Sequence, residues 1–148
     1  MRFCLMSYFR IWRYWLLGVS VFITAFGLFM ALLNHTILFS FFNTQINPAF
    51  WGSTPVPAPA QAFQGWIYGA WGATVMGWGV TMIFIAYYPF GQQERWAWKA
   101  VLVSVLSWYI IDTTISWLFA VIINVIFNTT ILILVIIPLL FTWQEMSN

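Results

Sequence analysis

Asp112 is the residue in this sequence best placed to do chemistry, since it is the one charged residue in a long apolar run of the C-terminal half. A carboxylate at the centre of a membrane-spanning helix costs about 3 kcal/mol to insert, so such residues commonly have a role. Ser116 lies one helical turn further on, and Asn124 and Asn128 follow, four residues apart. The candidate site comprises these four residues and His35. In a polar pocket or proton site, Asp112 is the acid, His35 its partner, and the asparagines donate hydrogen bonds.

The same residues also have a structural interpretation. Asn, Ser and Thr side chains can satisfy a buried carboxylate and thereby hold neighbouring helices together without any further function. A single histidine at a helix end is, in the same way, more often an interfacial residue than a ligand. The sequence leaves both interpretations open.

The composition indicates a membrane protein. Hydrophobic residues make up 63% of the 148 positions and charged residues 5%, whereas soluble domains carry roughly 25% charged residues. The net charge of +2 is too small for a nucleic-acid-binding face. One cysteine excludes an intrachain disulfide. With three acids and one histidine we expect no metal site and no catalytic set, and no phosphate-binding loop is present.

The apolar runs predict an all-α fold. We expect one transmembrane domain, residues 1–148, forming an antiparallel four-helix bundle, because a crossing needs about 20 apolar residues. The predicted spans are 15–33, 63–87, 96–118 and 124–141, with a long outer loop at 34–62.

The arginines and the single lysine predict the orientation of these spans. Arg2, Arg10 and Arg13 precede the first span, and Arg95 and Lys99 begin the third, so the positive-inside rule places both termini in the cytoplasm. The N-terminal segment is suited to a short interfacial helix with a basic stripe. In the outer loop, the prolines at 55–59 predict an extended chain, and the aromatic residues around it predict a loop that lies on the interface or folds over the bundle mouth.

Small residues predict how the helices pack. Gly65, Gly69, Ala73 and Gly77 recur every four residues along the second span, which is a pattern typical of close helix approach. The first span carries a matching stripe, and the third span carries the candidate acid on a polar face. The members of the stripe are Ser20, Thr24, Gly27, Ala31 and His35, and those of the polar face are Ser104, Trp108, Asp112 and Ser116.

The segment Glu94-Arg95-Trp96-Ala97-Trp98 opens the third span. It resembles the helix opening of small four-span bacterial membrane proteins, loosely DoxX-like. The resemblance covers about a dozen residues. It implies a four-helix bundle in a bacterial inner membrane, but no activity and no site residues.

Three classes of function follow from these features. The first is a non-enzymatic membrane protein that binds a lipophilic small molecule or serves as an accessory subunit of a larger membrane complex. The second is a proton-coupled transporter or channel-like oligomer that uses Asp112. The third is a membrane enzyme acting on a lipid or quinone, with Asp112 and His35 as acid and base. No motif names a cofactor, although a lipid or quinone would fit. The expected partners are membrane lipids, other membrane-protein subunits or further copies of this chain.

Overall fold

The computed structural model describes residues 2–146, with side chains from residue 8 onward. Within that range the chain is helical and contains no strand. Four helices, α1, α3, α4 and α5, are long and apolar enough to cross a membrane. The five α-helices are α1 (Arg2–Leu33), α2 (Ser40–Trp51), α3 (Ala58–Tyr87), α4 (Arg95–Leu118) and α5 (Ile122–Thr142), and short 3-10 turns lie at Ile37–Phe39 and Trp143–Glu145.

The N-terminal segment is part of α1 rather than a separate interfacial helix. Residues 2–17 contain no glycine or proline, so no break separates the segment from the span that follows. The side chain of Arg2, which belonged to the predicted basic stripe, lies outside the described residues.

The connection at residues 34–62 is largely helical, which corrects the prediction of a long loop. It contains α2 and the first turn of α3, and the extended chain is confined to a few residues around Pro55 and Pro57. Pro59 lies in the first turn of α3, where a missing backbone N–H costs little, so it does not delay the helix. Phe39 is buried before α2, and its ring lies 5.1 Å from that of Tyr68.

Helices α1 and α3 meet along glycines spaced seven residues apart. A methyl group added at Gly72 would lie 2.5 Å from the amide nitrogen of Ala31, and one at Gly79 would lie 2.6 Å from that of Thr24. Gly65 is likewise covered, in its case by the His35 ring. A seven-residue repeat keeps one face of each helix in the seam when two helices coil gently around each other.

The seam therefore differs from the prediction for α3, which was a ridge of small residues spaced four apart (the four-residue ridge). Gly65 belongs to it and Gly69 borders it, but Ala73 and Gly77 are exposed, and a methyl group at Gly77 would meet nothing within 4 Å. Four-residue spacing drifts around a helix by about 40° per step, so it cannot stay in one seam over three turns. The α1 stripe does supply seam residues, among them Thr24 and Ala31.

Tryptophan side chains of α1 and α4 bind to the backbone of α5. Trp15 of α1 donates a hydrogen bond to the Leu134 carbonyl of α5, and Trp98 of α4 donates to the Leu139 carbonyl of the same helix. The core between these helices includes the fully buried Val105. Helices α3 and α4 touch each other far less than the other neighbouring pairs of long helices do, and a crevice remains between them.

Two of the basic side chains lie at the same end of the molecule. Arg13 donates hydrogen bonds to the carbonyl oxygens of Ala86 and Tyr87 at the end of α3. The Arg95 guanidinium lies 4.7 Å from the centre of the Trp143 ring after α5. We call this end the turn end, and the opposite end, which carries α2, the loop end.

Candidate functional site

A tight turn between α4 and α5 positions the polar residues of the candidate site. The amide of Val121 donates to the Ser116 carbonyl and that of Ala120 to the Trp117 carbonyl, while Ala120 has a φ of 56°. This is the hydrogen-bond pattern of a helix that ends on a left-handed residue. The reversal brings the first two turns of α5 alongside the last two turns of α4. Asn124 and Asn128 therefore face Asp112.

Asp112 accepts hydrogen bonds from both helices. Asn124 Nδ2 lies 2.8 Å from Asp112 Oδ1, and Asn128 Nδ2 lies 3.2 Å from the same oxygen. The Ser116 hydroxyl lies 2.8 Å from the Asp112 carbonyl oxygen and 3.2 Å from Oδ1. Trp108 Nε1 donates to Oδ2 at 3.1 Å. We call Trp108, Asp112, Ser116, Asn124 and Asn128 the carboxylate cluster.

The asparagines have further partners that fix their orientation. Asn124 Nδ2 also donates to the Ser116 hydroxyl at 2.7 Å, and Asn128 Nδ2 donates to the Thr113 hydroxyl at 3.2 Å. Asn128 and Ser116 are buried, at 1% and 6% exposure, whereas Asp112 is half-buried. Donors from two helices thus converge on one carboxylate, and one side of it stays accessible.

The accessible side of Asp112 faces the crevice between α3 and α4. An outer groove of about 730 Å³ is lined by Asp112 together with apolar and aromatic side chains. It adjoins a smaller inner cavity of about 70 Å³ that Asn128 lines. Both spaces share Tyr68 and Trp71 of α3 as lining residues. The site is therefore an apolar crevice with one polar wall.

Aromatic contacts close the two ends of this crevice. Toward the turn end, the rings of Trp78 on α3 and Trp108 on α4 lie 5.4 Å apart. Toward the loop end, Phe50 of α2 lies 6.0 Å from Phe119 in the α4–α5 turn. The groove lies between these two aromatic pairs.

The structure does not bring His35 into the carboxylate cluster. Its imidazole lies on Gly65 at the loop end and lines a separate polar pocket with Asn34 and Gln64. His35 lies in the turn that follows α1. Because α1 is flanked by α3 and α5, this turn lies beside the start of α3 rather than beside α4. A pairing of His35 with Asp112 is absent from the hydrogen bonds of the described residues.

Sequence reasoning missed the aromatic half of the site. The sequence pattern places Trp108 on the correct face of α4 but does not indicate that it binds the acid, and it gives no role to Tyr68 or Trp71. A signal was present: Trp71, Trp78 and Trp108 lie in the interior of long apolar helices rather than near their ends. Tryptophans at the ends suit a headgroup boundary, and those in the interior need another partner.

The site contains no evident metal ligands. Among the side chains described, those of residues 8–146, no three His, Cys, Asp or Glu groups lie close enough to hold a metal ion together. The one carboxylate, with amide and indole donors around it, is equipped to accept hydrogen bonds from a ligand rather than to coordinate a cation.

Comparison of the chain with protein-family models, with curated proteins and with solved structures gave no match. The loosely DoxX-like resemblance of the segment at residues 94–98 stays a prediction.

Proposed function

We propose that this chain is an integral membrane protein that binds a lipophilic small molecule in the crevice between α3 and α4. The four long helices form an antiparallel transmembrane bundle with both termini in the cytoplasm of a bacterial cell. The ligand enters from the side, its apolar body lies against Trp71 and Ile111, and its polar end meets Asp112. The function is that of a binder, not an enzyme.

The apolar outer surface supports the membrane location. Each long helix exposes large apolar side chains, including Phe22, Phe84, Ile111 and Leu140 at 48%, 58%, 63% and 69% exposure. Leaving such surface in water costs about 25 cal/mol per Å², so a chain with this surface is stable in hydrocarbon and not in water. Arg13 and Arg95 at the turn end support the cytoplasmic placement of that end.

One observation carries the ligand assignment. Oδ1 of Asp112 receives hydrogen bonds from Asn124 and Asn128, whereas Oδ2 receives the indole N–H of Trp108. Each carboxylate oxygen has about two acceptor positions. Oδ2 therefore has capacity for a second donor, and Asp112 lines the groove. A lipophile that carries a hydroxyl or an N–H, such as a lipid alcohol or a quinol, matches this chemistry better than a plain hydrocarbon.

The two alternative functions, a proton-coupled transporter and a membrane enzyme, each need a second titratable group close to Asp112. A proton relay or an acid–base pair would place a second such group beside Asp112. The described partners of Asp112 are an indole, a hydroxyl and two amides, and His35 lies in the other pocket. These observations favour the binder.

A matched pair of ligands tests the proposal. The purified protein in mild detergent is titrated with a long-chain primary alcohol and with its methyl ether, and binding is followed by native mass spectrometry. We expect the alcohol to bind about tenfold more tightly, since a hydrogen bond to a charged group contributes about 1.5 kcal/mol or more. The preference should disappear in Asp112→Asn. Equal binding of the two ligands to the wild-type protein would refute the assignment.

The same native mass spectra test the alternative that the protein is an accessory subunit of a larger membrane complex. Co-purification with larger membrane proteins, with no retained small molecule and no alcohol binding, would favour an accessory subunit. In that case Asp112→Asn should leave the association with those partners largely unchanged.

A further inference from the structure

A second pocket lies at the loop end, away from the carboxylate cluster. It is enclosed by the end of α1, by α2 and by the first turns of α3, and it has a volume of about 390 Å³. Small-molecule sites commonly occupy about 300–1,000 Å³. Its lining is mostly polar, which sets it apart from the apolar crevice between α3 and α4. It is formed in part by Asn34, His35, Asn43, Asn47, Gln61 and Gln64.

Two amide oxygens at this pocket have no hydrogen-bond partner. Nδ2 of Asn34 donates to the carbonyl oxygens of Met30 and Ala31, at 2.8 and 3.3 Å, so the orientation of this amide is determined. Its Oδ1 is buried and unpartnered among the described residues, and the residue as a whole is 5% exposed. The Oδ1 of Asn43 on α2 is also buried and unpartnered among the described residues, whereas Asn43 as a whole is half-buried. Buried acceptors without donors cost about 1–3 kcal/mol each, so a donor supplied from outside would relieve that cost.

The remaining groups at the pocket define the chemistry of such a donor. Residues 34–62 contain no Lys, Arg, Asp or Glu. A phosphate or carboxylate would find no lysine or arginine to pair with and only the single imidazole of His35, and an ammonium group would find no anion. Amides and a hydroxyl can both donate and accept, as in the chain that runs from Gln64 Nε2 to Asn47 Oδ1 at 2.7 Å and to the Tyr68 hydroxyl at 2.9 Å. A neutral ligand with several neighbouring hydroxyl groups complements this arrangement.

We propose that the loop-end pocket binds a neutral polyhydroxyl group, either the sugar headgroup of a glycolipid or a free sugar. Ligand hydroxyls form hydrogen bonds with the amides that line the pocket, including those of Asn43, Gln61 and Gln64, and the exposed imidazole of His35 lies at the rim. The pocket lies where α1 ends and α3 begins. A headgroup could occupy it while its chains remain beside the helices. This site shares the lining residue Tyr68 with the crevice but includes no member of the carboxylate cluster.

The test compares three lipids and one soluble sugar. The protein is held in an amine-oxide detergent, which carries no sugar. It is titrated under native mass spectrometry with monoglucosyl diacylglycerol, with the methyl ether of diacylglycerol, which has no free hydroxyl to bind Asp112, and with phosphatidylcholine. We expect the glucosyl lipid to bind at least tenfold more tightly than the other two. Equal binding of the three lipids, or preference for phosphatidylcholine, would overturn the proposal.

Substitutions of lining residues test whether the glucosyl lipid binds in the loop-end pocket. Asn43→Leu and Gln61→Leu should each weaken glucosyl-lipid binding by about tenfold, the effect of one hydrogen bond in a desolvated site. Thr44→Val, one residue away on α2 and outside the pocket lining, should leave binding unchanged, as should Asp112→Asn in the crevice. Because the Asn43 oxygen has no partner, Asn43→Leu should not lower stability. Unchanged binding in both pocket variants would rule the site out.

Methyl glucoside distinguishes the two sources of the sugar. If it competes with the glucosyl lipid at millimolar concentration, the pocket accepts a free sugar. If it does not compete while the lipid still binds with the expected variant pattern, the ligand is a lipid headgroup.

Discussion

Trp108 connects the carboxylate of Asp112 to the opposite wall of the crevice. Its indole nitrogen lies 3.1 Å from Asp112 Oδ2, and its ring centre lies 5.4 Å from that of Trp78 on α3. Helices α3 and α4 otherwise touch little. The orientation of the acid and the width of the crevice therefore depend on the same side chain, which makes the indole ring a natural reporter of ligand binding.

Tryptophan fluorescence should report occupation of the crevice. A long-chain alcohol brominated near its hydroxyl should quench the tryptophan fluorescence of the wild-type protein, because Trp71 and Trp108 line the groove.

In Ser107→Trp the added ring fills part of the groove, and the affinity for the alcohol measured by native mass spectrometry should fall at least tenfold. Ser104→Trp is the matched control, since Ser104 lies one turn away and outside the groove lining. Equal loss in both variants would contradict a ligand at this position.

Asn128→Leu should destabilise the protein by about 1–3 kcal/mol, because it removes a donor from a buried carboxylate cluster and leaves the acceptors of Asp112 and Thr113 without it. The measurement is reversible unfolding in mixed micelles with increasing dodecyl sulfate. The control is Thr130→Val, whose exposed hydroxyl bonds only the Ile126 carbonyl of its own helix. A stability for Asn128→Leu within about 0.5 kcal/mol of wild type would show that the cluster contributes little to folding.

Gly72→Ala and Gly77→Ala should have opposite outcomes, although the two residues lie on the same helix. A methyl group at Gly72 would overlap backbone atoms of Ala31 and Gly27. Overpacking of this kind costs about 1–3 kcal/mol. A methyl group at Gly77 meets open space, and alanine favours the helix, so stability should be unchanged or higher. The same unfolding assay applies, and a loss in Gly77→Ala matching that in Gly72→Ala would argue for the four-residue ridge.

Ala120→Gly should raise the free energy of unfolding by about 1 kcal/mol. Ala120 has a φ of 56°, a left-handed conformation that costs an L-residue about 1–2 kcal/mol and glycine almost nothing. Ala100→Gly inside α4 is the control and should lower stability by about 0.5–1 kcal/mol. If both glycines destabilise equally, the turn geometry that aligns Asn124 with Asp112 is not as described.

Membrane topology can be measured with single cysteines. After Cys4→Ser removes the native thiol, Ser53→Cys at the loop end and Gln92→Cys at the turn end place one exposed thiol at each end. In intact bacterial spheroplasts a membrane-impermeant maleimide should label residue 53 only, and residue 92 should react after permeabilisation. Labelling of residue 92 alone in intact spheroplasts would show that the protein has the opposite orientation in the membrane.

Much of the helix content could be predicted because it depends on local sequence. The end of α3 at Tyr87, before Pro89, and the bounds of α4 and α5 lie within two residues of the prediction. A helix end follows from a nearby proline or a break in the apolar run, and both are visible in sequence. The loop at 34–62 was harder, since its aromatic residues are stabilised as helix and turn by contacts with distant side chains such as Tyr68.

The sequence by itself determined that Asp112, Ser116, Asn124 and Asn128 would be neighbours. Residues four apart share a helix face, and a short turn between two helices leaves the facing residues few alternatives. Only the tertiary structure decided that His35 lies apart, that Gly72 and Gly79 rather than Gly77 form the seam, and that α3 and α4 separate around a crevice. Those outcomes depend on how the side-chain volumes of several helices fill space together, and no periodicity within one helix contains that information.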